Sequence, residues 1–291
     1  MTSFQHTIAK EADCKGIGLH TGNMCEAVFK PAPENNGVTL VRTDLAGTPR
    51  VQALYSNVLG VIRGTTVGND AMRVHTIEHM LSAVYALGID NLIIELNANE
   101  PPVADGSSRV FFDALKEAGV VQQSAERALL APSERVEYKN GETEITFEPA
   151  DDLKLTTVLM YKHPLISQQE ITVTIEPDRY RNEIASARTF CFDYEVEALK
   201  KQGLAKGGSL DNAVVIGLDR IHNKEKKLRF PDEFARHKAL DLLGDLFLLG
   251  VRLKGHIRAV RPGHGHNINF VKLLAERFLT SERTTYVANR S

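Results

Sequence analysis

The stretch Val74-His75-Thr76-Ile77-Glu78-His79-Met80-Leu81 opens an apolar run that continues through Leu87 and reads as a helix. A helix places residues four apart on one face, so His75 and His79 line up there with Glu78 beside them. Two imidazoles and a carboxylate at the mouth of a core helix are costly unless something satisfies them. A divalent metal is one candidate, because neutral imidazole is a common metal ligand. Local hydrogen bonding at a helix end is the other, and the stretch alone does not choose between them.

A second helix with the same ending helps. The run from about His75 to Gly88 closes on Leu87-Gly88-Ile89, followed by a strand, a turn and a helix. The run from about Asp232 to Leu249 closes on Leu249-Gly250-Val251, again followed by a strand, a turn and a helix. Aligning the two Leu-Gly pairs sets His75 against His237 and His79 against Asp241, as two related α/β units packed through their central helices would. His237 and Asp241 share a face, and Asp245 continues the stripe among Leu240, Leu242, Leu243 and Leu246. A carboxylate in so apolar a helix needs a partner; the competing reading is a solvent-facing stripe. Taken together, His79, His237 and Asp241 make a His₂-carboxylate set, a catalytic zinc type that leaves one position for water. Glu78, beside a ligand without being one, sits where a general base would. His75 as a fourth ligand would close the site.

The remaining elements arrange themselves around these helices. Strands are expected over Cys25 to Lys30, Val38 to Arg42, Val58 to Val67 (interrupted by glycines) and Leu92 to Leu96. The turn Glu100 to Ser108 precedes a helix reaching about Ala118, and polar residues Gln122 to Arg127 suggest a domain boundary near 125. Further strands are expected over Arg135 to Tyr138, Glu142 to Phe147, Lys154 to Tyr161, Glu170 to Ile175, Ala213 to Ile216 and Gly255 to Val260. Between them lie a short helix, Tyr194 to Gln202, and the glycine cluster Gly203 to Ser209, read as a flexible connection. Pro231 introduces the helix from Asp232, a last helix runs from about His266 to Leu279, and the polar Ser281–Ser291 is expected to fray.

Composition narrows the class. The chain has 291 residues, 43% hydrophobic and 25% charged, with a net charge of −2, which provides no basic surface for nucleic acid. No apolar run is long enough to span a bilayer, and Met1 to Lys10 lacks the core of a signal peptide, so a cytoplasmic protein without membrane insertion is expected. Cys14, Cys25 and Cys191 form no C-x-x-C pair and fit a reducing compartment. A metal would therefore be held by some of the ten histidines and by carboxylates. The cluster Gly263-His264-Gly265-His266-Asn267 sets a histidine on a glycine-flanked turn, where it is either a supported proton donor, with Asp245 as the support, or a surface histidine. Gly16-Ile17-Gly18-Leu19-His20-Thr21-Gly22 is either a tight turn or a place of close backbone approach to a ligand.

In order along the chain, this glycine turn, Thr76-Ile77-Glu78-His79, Gly88-Ile89-Asp90-Asn91, Asp105-Gly106-Ser107, Ala187-Arg188-Thr189-Phe190, Gly207-Gly208-Ser209, Phe234-Ala235-Arg236-His237-Lys238, Asp241, Gly244-Asp245-Leu246 and Gly263-His264 resemble the bacterial UDP-3-O-acyl-N-acetylglucosamine deacetylase family. The resemblance covers nearly the whole chain. It implies an α+β fold of two similar domains packed as a β–α–α–β sandwich, residues 1–125 and 126–291, with the active site between them. It also implies a zinc enzyme that removes the N-acetyl group from a UDP-linked, 3-O-acylated glucosamine, the committed step of lipid A synthesis. Carried over residue by residue, His79, His237 and Asp241 hold zinc, Glu78 is the base and His264 the acid. Thr189 helps hold the oxyanion, Asp245 orients His264, and Lys238 meets anionic or polar groups of the substrate. Residues 188–214 build a passage for the acyl chain, and Leu19, Phe190 and Gly207 line the substrate site. A monomer acting on a small-molecule substrate is expected.

Two features depart from the family pattern. His75 completes an H-x-x-E-H string that matches a metalloprotease motif in which both histidines are ligands; the resemblance makes His75 incidental to the metal. His266 duplicates the histidine beside His264, and the Gly-His pair selects His264. A zinc protease and a non-catalytic sugar-nucleotide binder are the rival functions. Some family members are fused to a dehydratase, for which the length is expected to leave no room.

Overall fold

The computed structural model describes residues 3–166 and 168–279; the tail expected to fray, Ser281–Ser291, lies outside the described residues. Two five-stranded sheets dominate. The first runs, edge to edge, Ala12–Ile17, Met24–Pro31, Leu92–Leu96, Val38–Arg42 and Arg50–Gln52. The second runs Val136–Asn140, Thr143–Glu148, His256–Val260, Lys154–Met160 and Gln168–Thr174. In both, the strand latest in the chain occupies the centre, antiparallel to one neighbour and parallel to the other. The internal repeat suggested by the two Leu-Gly endings is therefore a repeat of topology.

Six helices lie with these sheets: α1 (Glu78–Ala86), α2 (Arg109–Ala118), α3 (Pro177–Glu183), α4 (Asp193–Lys201), α5 (Glu233–Phe247) and α6 (His264–Phe278). Helix α1 packs on α5, with α2 beside α1 and α6 beside α5, so the helices form the two inner layers and the sheets the outer ones. Every residue of α1 is buried, as a helix enclosed on all sides requires. At the contact, a Cβ built on Gly244 would lie 2.1 Å from the Glu78 carbonyl oxygen, so the two helix backbones touch there. Both helices stop on a left-handed glycine, Gly88 at φ +73° and Gly250 at φ +77°.

Each repeat carries an insertion at the same point, between its fourth strand and its central helix. The first is the three-stranded sheet of Val58–Gly60, Thr66–Gly68 and Arg73–Val74. The second is the three-stranded sheet of Phe190–Phe192, Val214–Ile216 and Ile221–His222, with α4 between its first two strands. Both therefore stand next to the N-terminal ends of α1 and α5.

Three expectations need correction. Helix α1 begins at Glu78, because Thr76 adopts φ +54° and the first helical bond runs from Leu81 N–H to Ile77 O; His75 and His79 do not share a helical face. Helix α6 begins at His264, two residues earlier than expected. The polar stretch after α2 belongs to a strand, Val120–Glu126, that pairs antiparallel with Phe4–Ile8. The glycine cluster is tied down rather than loose, since Gly207 N–H donates to Leu19 O at 3.1 Å and Asn212 Nδ2 donates to Gly207 O at 2.9 Å.

Candidate active site

The first turn of α1 and the second and third turns of α5 bring His79, His237 and Asp241 together, all buried. The two imidazole rings meet edge to face with centroids 4.9 Å apart. His79 Nε2 lies 3.6 Å and His237 Nε2 3.3 Å from the same oxygen, Asp241 Oδ1. That oxygen is buried and has no hydrogen-bond partner among the described residues. His237 donates from Nδ1 to the Ala187 carbonyl at 3.0 Å. Burial pushes its pKa down to about 3, against the pull of Asp241, so the ring is neutral and its Nε2 presents a lone pair. Lone pairs converging on an orphaned carboxylate oxygen repel one another unless a cation lies between them. The donor set therefore fits a divalent metal. Asp241 keeps its charge: burial opposes it, but the Lys238 ammonium beside it holds its pKa well below the ordinary range.

Glu78 and His264 flank this set. Glu78 Oε2 accepts from Thr65 N–H at 2.9 Å, while Oε1 faces His264 Nε2 at 3.6 Å. Burial raises the Glu78 pKa above its usual value, with His264 and His79 pulling the other way. His264 stands at the start of α6, where the helix dipole disfavours a positive ring. Asp245 compensates, with its Oδ2 2.9 Å from His264 Nδ1. Burial works against the imidazolium, but Asp245 and then Glu78 outweigh it and raise the pKa to about 9. Asp245 is itself held by Thr65 Oγ1 at 2.5 Å and by Asn267 Nδ2 at 2.8 Å. The site thus sets a protonated imidazole against the Glu78 carboxyl, whose affinity for a proton burial increases.

Lys238 Nζ bonds the other Asp241 oxygen at 2.7 Å and lies 5.4 Å from the centre of the Phe190 ring. Beyond Phe190 opens a cavity of about 270 Å³, lined mainly by apolar side chains of the second insertion, including Val196, Leu199 and Val215. Leu19, Thr189 and Phe190 lie on its wall. Gly207 lies just outside, against Gly18, where a Cβ would stand 2.1 Å from the Gly18 carbonyl. His75 and His266 lie elsewhere: His75 Nδ1 bonds Thr66 Oγ1 at 2.9 Å, and His266 Nδ1 bonds Tyr138 Oη at 3.1 Å.

Three contributors were not foreseen from the sequence. Thr65 touches both Glu78 and Asp245, yet nothing in its local sequence marks it. Glu100, fully buried, accepts from His20 N–H, Thr21 N–H, Thr21 Oγ1 and Thr76 Oγ1, tying the glycine turn to the approach of α1. Arg188 and Glu233 form a buried pair at 2.8 Å beneath Thr189 and the start of α5. The polar surroundings of Glu100, Arg188 and Glu233 in the sequence give no sign that they are buried.

Comparison with known proteins agrees with this geometry. The family described as "LpxC: UDP-3-O-acyl N-acetylglycosamine deacetylase" matches residues 5–276. The UDP-3-O-acyl-N-acetylglucosamine deacetylase of Bdellovibrio bacteriovorus is 44% identical over 89% of this chain and 86% of that protein. The enzyme of the same name from Teredinibacter turnerae is 39% identical over 97% of the chain and 93% of that protein. A bifunctional enzyme LpxC/FabZ from Chlorobaculum tepidum is 42% identical over 94% of the chain, which spans 64% of that longer protein. The chain belongs to the UDP-3-O-acyl N-acetylglycosamine deacetylase family.

Proposed function

We propose that the protein hydrolyses the acetamide at C2 of a UDP-linked, 3-O-acylated N-acetylglucosamine, releasing acetate and the free amine in the committed step of lipid A synthesis. One observation carries the reading: an orphaned Asp241 oxygen faced by two histidines, with a carboxylate and a protonated imidazole beside it. His79, His237 and Asp241 would hold the metal, which we take to be zinc. When bound, it supplies Lewis acidity for the carbonyl and for the attacking water.

The chain's own residues do the rest. Glu78 takes a proton from the water as its oxygen adds to the acetyl carbon. Thr189 donates to the oxyanion as charge develops there. His264 gives its proton to the amine nitrogen as the C–N bond breaks, and Asp245 keeps its ring turned toward that nitrogen. The 2.9 Å contact and the raised pKa support this division of labour. Lys238 meets polar groups of the sugar nucleotide. Leu19, Phe190 and Gly207 shape the entrance, and the acyl chain enters the apolar cavity.

We place the division between the two domains near residue 125, with Glu78 and His79 on one side and His237, Asp241 and His264 on the other. We further take the protein to be a cytoplasmic monomer. Cys14, Cys25 and Cys191 are free, and among the described residues no helix is long and apolar enough to cross a membrane. An acetate-release assay on the UDP-sugar tests the function. Glu78→Ala should lower kcat by about 10²–10⁴-fold while the variant still binds substrate. Equal binding with no turnover in either form would make the protein a binder.

A further inference from the structure

A second cavity, of about 260 Å³, adjoins the apolar one and shares His20 with it. Its wall is polar, with His75, Thr66, Thr76, Asn99 and Lys206. Gly64 stands between this cavity and the base. A Cβ built there would lie 3.0 Å from Glu78 Oε1, the oxygen that faces His264. Position 64 thus puts no side chain between the polar cavity and the reacting side of the carboxylate.

The buried Glu100 carboxylate behind this wall is taken up by hydrogen bonds from His20, Thr21 and Thr76, and the lining itself carries one formal charge. His20 Nε2 is taken by Arg63 O at 3.2 Å and His75 Nδ1 by Thr66 Oγ1 at 2.9 Å. Burial lowers the pKa of both rings, so neither carries charge at neutral pH. Lys206 is the one formally charged residue on the lining, and it has no ion-pair partner among the described residues. A polar cavity with a single unpaired cation suits a small anion and water.

The reaction proposed above consumes water and produces a carboxylate. Neither can travel through an apolar cavity filled by an acyl chain. We propose that the polar cavity behind Gly64 is the route by which acetate leaves Glu78 and water reaches it, with Lys206 as the outer cation that draws the carboxylate out. This inference rests on the deacetylase reading.

Product inhibition by sodium acetate tests it, at ionic strength held constant with sodium chloride. Lys206 is exposed, so its replacement leaves the core intact. Lys206→Glu should raise the acetate inhibition constant about fivefold and Lys206→Ala about twofold, the reach of one partly solvated charge. KM for the sugar nucleotide should stay within twofold. Unchanged inhibition constants in both variants would overturn the route, as would a parallel rise in KM, which would assign the cavity to the substrate instead. Absence of acetate release by the unaltered protein would remove the deacetylase reading itself, and so separates the two failures.

Discussion

Replacing Gly244 by alanine probes the contact that holds the two halves of the site together. The added Cβ would lie 2.1 Å from Glu78 O and 2.8 Å from Glu78 Cα, where ordinary contact begins at 3.4 Å. The atoms it meets are backbone, so no side chain can turn aside. Helices α1 and α5 must part by about 1 Å. Alanine recovers about 1 kcal/mol of helix propensity. Overpacking of a core costs about 1–3 kcal/mol, and a backbone overlap belongs at the upper end. The clash wins by about 2 kcal/mol, which for a chain of this size lowers the melting temperature by about 3 °C. The functional loss is larger. His79 comes from α1, while His237 and Asp241 come from α5. A misplacement of about 1 Å at a reacting centre costs roughly 10²-fold in rate. Calorimetry, metal content and kcat/KM should be measured beside Gly60→Ala, whose Cβ would meet nothing within 4 Å. Gly244→Ala with the melting temperature and kcat/KM of the unaltered protein would refute the reasoning.

Two further predictions concern the named side chains. The pH–rate profile should be bell-shaped. His264 must start protonated, so activity falls as pH rises through about 9. Glu78 must start ionised, so activity falls as pH drops through a value above the ordinary carboxylate one. Asp245→Asn removes the leading charge that supports the imidazolium and should move the alkaline limb to lower pH; an unmoved limb would disconnect Asp245 from His264. Metal analysis of purified variants should find His75→Ala with about one equivalent and His237→Ala depleted, whereas the protease motif requires loss in both.

The cluster of His79, His237 and Asp241 was legible in part because two of its members sit at helical spacing in an apolar helix. His237 and Asp241 are four apart within α5, and the Leu-Gly endings that align the two helices are real left-handed caps. The same rule failed at His75, where spacing matched but helical geometry did not. Thr76 is a β-branched residue at positive φ, a conformation its type disfavours, so no local signal announces the break. Its hydroxyl bonds Glu100, a partner 24 residues away, and that tertiary contact accompanies the strained turn. Thr65 was hidden for a related reason, since its importance lies in touching Glu78 and Asp245 from a short insertion strand's edge. The cluster around Gly207 read as a flexible connection, because its partner, the Gly18 carbonyl, can only be seen in three dimensions. Residue spacing along one helix is a local property; which segments meet across the domains is not.

The central claim is that a metal held by His79, His237 and Asp241 is required for deacetylation, and acetate release under metal control tests it most directly. The purified protein should release acetate from the UDP-3-O-acyl-N-acetylglucosamine substrate, lose that activity on incubation with a chelator, and regain it with about one equivalent of zinc per chain. Turnover that persists at full rate in the stripped protein, or that fails to return when zinc is restored, would contradict it.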